Sequence, residues 1–139
     1  NGDMVRLAPG RAEIIDEVPA GRLYIDGGMV TPENGDALKE RRHAAFNGVL
    51  MVTIALDGKG RIVSGPQIRS IGLAGDADFP LDEALDDLCR DAEQAVKKVP
   101  AEERAFDEIV ESALSRVVKK GAFRIWERKP VVETTVLRI

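Results

Sequence analysis

The sequence is short of the residues that do most enzyme chemistry. It has one cysteine, Cys89, and one histidine, His43, in 139 residues. A single cysteine excludes an internal disulfide and fits a reducing cytoplasm. A single histidine leaves no Ser/His/Asp or Cys/His pair to assemble. It also leaves no protein-only zinc shell, which needs three or four suitable ligands. Six aromatic residues (four Phe, one Trp, one Tyr) are scattered along the chain, so no aromatic-rich strand supports base stacking. No apolar run approaches the roughly 20 residues that cross a bilayer. The N-terminus is polar and lacks the basic-then-apolar start of a signal peptide. It opens on Asn1-Gly2-Asp3 without an initiator Met, and the expectation is a piece of a longer chain. A net charge of −4 argues against a surface that binds nucleic acid everywhere, though not against a local basic patch.

What the chain does have is the run from Gly48 to Leu56, which ends at Asp57-Gly58-Lys59-Gly60. Side chains alternate along a strand, so Val49, Met51, Thr53 and Ala55 face one way and Leu50, Val52, Ile54 and Leu56 the other. Both sets are apolar or nearly so. A strand with water on one side alternates apolar with polar; this one asks to be covered twice. Asp57-Gly58 then starts a slightly long hairpin loop into an extended segment, Arg61 to about Leu73. Pro66 within it predicts a bulge or an edge position, because proline donates no ladder hydrogen bond.

Two helices follow. Pro80, Asp82 and Glu83 suit a helix start, and Leu81, Leu85, Leu88, Ala92, Ala95 or Val96, and Val99 recur at spacings of three and four. Pro100 ends that helix. The second is expected from about Ala101 or Glu102 to Trp126, burying Phe106, Ile109, Val110, Ala113, Val117, Gly121 and Ile125. Val131 to Ile139 reads as a last strand. The fold class is therefore α+β: a three-stranded sheet with two helices on one face, ordered β-β-α-α-β, preceded by short strands and a linker.

Upstream, residues 1–27 read as three short extended pieces punctuated by Pro and Gly, too little to form a core alone. Residues 28–46 read as a linker with a short helix from Ala37 to about Ala45, closed by Asn47-Gly48. Residues 47–139 are the C-terminal domain.

The residues weighed for chemistry divide plainly. His43 reads as a solvated or linker histidine, and Cys89 as a small buried thiol beside an apolar stripe. Asp57-Gly58-Lys59-Gly60 lacks the phosphate-loop pattern and precedes a strand. Asp76, Asp78, Asp82 and Glu83 lack calcium-loop spacing. Arg116, Lys120, Arg124 and Arg128 recur every four residues, with Lys119 and Lys129 beside them. That stripe is either a solvated helix face placed where the dipole favours cations or a contact for an RNA backbone.

Arg41-Arg42, Asn47-Gly48-Val49, Asp57-Gly58, Ser64-Gly65-Pro66 and Arg128-Lys129-Pro130-Val131, in that order, resemble the C-terminal domain of the ribonuclease J family. Asn1 to Leu7 and Val18 to Gly27 likewise look like the end of that family's metallo-β-lactamase/β-CASP core. The resemblance implies a parent that is a zinc-dependent ribonuclease with 5′-to-3′ exonuclease and endonuclease activity, acting in messenger RNA decay and ribosomal RNA maturation. It implies that the zinc ligands and catalytic residues lie in the N-terminal core, and that none belongs to this stretch. It implies a C-terminal domain that holds subunits together, as a homodimer or homotetramer of the parent, beside the parent's own N-terminal catalytic domains. No membrane partner is expected. Val49, Met51, Thr53 and Ala55, or their opposite-face neighbours, with Val132, Thr134 and Val136, are the expected contact set. Arg116, Lys119, Lys120, Arg124 and Arg128 are the candidate RNA contacts.

Overall fold

The structure, a computed structural model, describes all 139 residues. They form two compact units, residues 1–40 and 41–139.

The first unit is two separate hairpins. Strands β1 (Asp3–Ala8) and β2 (Arg11–Glu17) pair antiparallel, with an irregularity between Met4 and Val5. Strands β3 (Leu23–Asp26) and β4 (Met29–Pro32) form the second pair around Gly27-Gly28. The segment expected as linker thus contributes β4, because Gly27 takes a positive φ of 62° and turns the chain back onto itself. No residue from 1 to 40 is buried. Two-stranded ribbons this short do not sustain a core of their own.

Helix α1 (Asp36–Asn47) spans the division between the units. It ends where Gly48 adopts φ 79°, with the Gly48 N–H bonded to the Ala44 carbonyl at 2.8 Å. Asn47 Nδ2 donates to the His43 carbonyl at 3.2 Å, which satisfies another late acceptor.

The second unit is a two-layer sandwich. Strands β5 (Val49–Leu56), β6 (Ile62–Ile71) and β7 (Val131–Arg138) form one mixed sheet in the order β6-β5-β7. β6 runs antiparallel to β5, and β7 parallel to it. Both expectations for Pro66 are met. β6 is an edge strand, and its register against β5 shifts between Thr53 and Ala55, opposite Ser64 to Gln67. The connecting turn is organised by Asp57. Its Oδ1 accepts the N–H groups of Lys59 (2.9 Å) and Arg61 (2.8 Å), and its Oδ2 takes the Arg61 Nε at 2.6 Å. The Arg61 N–H foremost among these bonds holds the Asp57 carboxyl below the usual carboxylate range, against the opposing pull of desolvation.

Helices α2 (Leu81–Lys98) and α3 (Asp107–Trp126) cover one face, α2 against β6 and α3 against β7. The core joins Leu50, Val52, Ile54, Leu56 and Ile68 of the sheet to Leu88, Ala92 and Val96 of α2 and Val110, Leu114, Val118 and Ala122 of α3. Each large side chain so buried contributes roughly 1.5–3 kcal/mol. Gly121 lets the helices approach: a Cβ there would lie 2.4 Å from Leu88 Cδ2.

Two helix expectations change. Pro80 stands at the N-cap position, one before the first helical residue. The second helix does not start at Ala101. A 3-10 turn, Glu103–Ala105, comes first, and the chain is extended at Phe106 before α3 begins at Asp107. Arg104 locks that turn, donating from Nε to the Val99 carbonyl (2.8 Å) and from Nη2 to the Lys97 carbonyl (3.1 Å). The helix therefore begins after Phe106, which is not one of its residues. Phe106, expected in the core, is 62% exposed; Val110, Ala113 and Gly121 are buried as expected, and Leu114, Val118 and Ala122 join them.

Candidate interaction surfaces

The register of the sheet divides the expected contact set. Val132, Thr134 and Val136 lie opposite Leu50, Val52 and Ile54. Residues directly opposite share a face, so these three belong to the helix-covered side, where Val132 and Val136 pack against the core. Val49, Met51, Thr53 and Ala55 belong to the other side, which no helix of the second unit covers. The two groups do not come together. The β7 residues that join the open face are Val131, Glu133, Thr135 and Leu137, and from β6 they are Ile71, Arg69 and Gln67.

The open face therefore has rows. At one end Ile71, Val49 and Val131 make an apolar row. The next row is Arg69, Met51 and Glu133, a cation and an anion flanking a methionine. Then come Gln67, Thr53 and Thr135. Met51 is 38% exposed, Ile71 59% and Leu137 49%, whereas Ala55 is buried. The apolar row thus lies at one end of this face, and Leu137 lies beyond the polar row at the other.

The basic stripe of α3 is also redistributed. Arg124 Nη2 is 3.2 Å from Asp91 Oδ2 of α2, tying the helices together. Arg128 Nη1 donates to the Phe46 carbonyl at 2.7 Å and closes the last turn of α1. Arg116 lines grooves between α2 and α3 beside Lys98, Glu103 and Glu108. Lys120 borders the second of these grooves as well, and together with Lys119 it also faces a different set of neighbours. With His43, Phe123, Lys129 and Pro130 they line a shallow pocket of about 390 Å³. His43 Nε2 donates to the Lys129 carbonyl at 3.0 Å. The lone histidine thus fastens α1 to the segment before β7, a role invisible in a sequence where the two residues stand 86 apart.

Sequence reading also missed Arg138. Its guanidinium donates from Nε to Asp107 Oδ1 (2.7 Å), from Nη2 to the Arg104 carbonyl (2.7 Å) and from Nη1 to the Asp57 carbonyl (3.3 Å). One side chain gathers the β5–β6 turn, the 3-10 turn and the start of α3. Cys89 packs against the core, and burial pushes its thiol up, with Asp86 adding to the effect and an Ile68 backbone hydrogen bond opposing it. That is the opposite of an activated nucleophile.

No three His, Cys, Asp or Glu side chains converge to hold a metal ion. No helix is long and apolar enough to cross a membrane.

The sequence model of the ribonuclease J C-terminal domain matches residues 36–139, which include α1 and the whole sandwich. The chain belongs to the ribonuclease J family. It is 35% identical, over its whole length, to a Ribonuclease J of Sinorhizobium meliloti, of which it covers 24%. It is 26% identical to Ribonuclease J of Corynebacterium glutamicum, with 99% of this chain and 19% of that protein covered. It is 27% identical to Ribonuclease J2 of Bacillus subtilis, with 99% and 25% covered. The chain thus spans about a quarter or less of the length of these ribonuclease J relatives. In ribonuclease J terms, the two surfaces described above belong to the C-terminal domain.

Proposed function

We propose that this stretch is a non-catalytic assembly module of a ribonuclease J-type, zinc-dependent 5′-to-3′ exo- and endoribonuclease acting in the cytoplasm in messenger RNA decay and ribosomal RNA maturation. The observation that carries the reading is the open sheet face, with its apolar row Ile71, Val49 and Val131 and the exposed Met51 and Leu137. The occupant proposed is a second copy of the same domain. A two-fold axis running along β5 sets β6 of one copy over β7 of the other. Arg69 then stands opposite Glu133 of the second copy, and Glu133 opposite its Arg69. Such self-complementarity is what a two-fold interface requires. The hairpins of residues 1–40, which bury nothing, are read as pieces that complete a sheet of the parent's catalytic core.

Solution mass by light scattering over a concentration series tests the assembly. The expected result is a dimer or larger species that dissociates on dilution. A monomer at every concentration overturns the reading and leaves the open face to the chain's own hairpins or to another domain of the parent.

A second reading, RNA contact by the basic side of α3, is favoured by one observation. Lys119, Lys120 and Lys129 have no carboxylate within ion-pairing distance, whereas Arg124 and Arg138 do.

A further inference from the structure

The pocket beside α3 combines a basic rim with an exposed aromatic wall. Its rim carries three lysines and no acid, in a chain whose net charge is −4. Its wall carries Phe123, 51% exposed although the two residues before it on α3, Gly121 and Ala122, are buried. Pro130, buried, adds a second apolar surface beside it. The rim is also held in place. The His43 bond to the Lys129 carbonyl and the Arg128 bond to the Phe46 carbonyl fix the segment carrying Lys129 to the end of α1. Lys119 and Lys120 sit on consecutive positions of α3, four and three residues before Phe123, so all three side chains project to one side of the helix.

Flexible cations around an exposed aromatic plane match a ligand with regularly spaced negative charges and flat, uncharged faces. An acidic peptide supplies the charges without the planes. Single-stranded nucleic acid supplies both, since bases stack on aromatic side chains while lysines follow the backbone. We propose that this pocket holds single-stranded RNA, with one base against Phe123 and adjacent phosphates at Lys119, Lys120 and Lys129. The proposal rests on the RNA-contact reading and narrows it to one site. Arg116, Arg124 and Arg128 are not part of that site.

The test uses the 139-residue chain and fluorescence anisotropy. The probes are a labelled oligouridine of ~12 nucleotides, a length within the range one stacking groove accommodates, and an abasic ribose-phosphate strand of equal length. Oligouridine is expected to bind about 10-fold more tightly than the abasic strand, the range of one base–aromatic stack. Phe123→Ala removes that difference, and Phe123→Trp retains it. Lys119→Glu with Lys129→Glu weakens both strands and lowers the salt slope by about 0.7 for each phosphate no longer neutralised. Equal binding of both strands, unaffected by Phe123→Ala but abolished by Arg116→Glu, overturns the pocket and leaves the wider basic face standing. No binding of either strand at ~50 mM salt, where phosphate contacts are strongest, overturns both. Equal competition by an oligoglutamate of the same charge assigns the pocket to an acidic protein segment and overturns the RNA occupant.

Discussion

Leu88→Ala is expected to destabilise the sandwich by about 4 kcal/mol, near the top of the range for leucine truncations. The reason is local. Leu88 is fully buried, and the helix facing it presents Gly121, whose missing side chain is what admits the leucine. Truncation leaves a cavity against a glycine, which has nothing to move into it. The core it belongs to includes Ala92, Leu114, Val118 and Ala122 together with the sheet, several of them small. A loss of that size is a large fraction of the roughly 5–15 kcal/mol that stabilises an ordinary domain. In a unit of about 100 residues it lowers Tm by on the order of 20 °C. Adding Gly121→Leu to Leu88→Ala returns the missing volume from the other helix, and about half the stability should be recovered. Chemical and thermal unfolding followed by circular dichroism measures both. A loss under about 1 kcal/mol, or no recovery in the double variant, contradicts the packing of α2 on α3 at this point.

The second large effect is on assembly. Met51→Asp is expected to leave the fold intact and to weaken self-association by about 100-fold or more. Within one copy the new carboxylate stands between Arg69, which attracts it, and Glu133, which repels it. Met51 is already 38% exposed, so the change in folding stability should stay within about 1 kcal/mol. In a face-to-face dimer the same carboxylate is removed from water, and symmetry doubles the penalty because both copies carry it. Light scattering and circular dichroism on one sample separate the outcomes. Unchanged mass removes the open face as the interface, and a diminished helical signal shows that Met51 belongs to the core.

The part of this molecule legible in its sequence is the part set by short-range pattern. The doubly apolar β5, the Asp57 turn, the edge position of Pro66 and, to within one residue, the start of α2 each follow from a few adjacent residues. α3 misled because an uninterrupted 3.6-residue count ran back through residues 101–106. The extended backbone at Phe106 takes that residue out of the count while Val110, Ala113 and Gly121 keep their places in it, and what holds the break is Arg104 bonded to carbonyls of α2 and the residue after it. β7 misled because alternation fixes two faces but not which of them meets the helices. Only the parallel register against β5 decides that Val132 and Val136 point inward. The basic stripe looked uniform because its members are equally spaced. Asp91 and the Phe46 carbonyl, which take up Arg124 and Arg128, lie 33 and 82 residues away. Periodicity shows which side chains share a helix face, not which of them have partners across the fold.

The claim that the open sheet face joins two copies is tested most directly by cross-linking from defined positions. With Cys89 replaced by alanine, Met51→Cys places a single thiol on the open face, and Gln94→Cys places one on the exposed helical side. A short bismaleimide should convert the Met51→Cys chain to a covalent dimer in proportion to the associated fraction and leave the Gln94→Cys chain monomeric. A dimer formed from Gln94→Cys, with none from Met51→Cys, would place the interface on the helices and contradict the account.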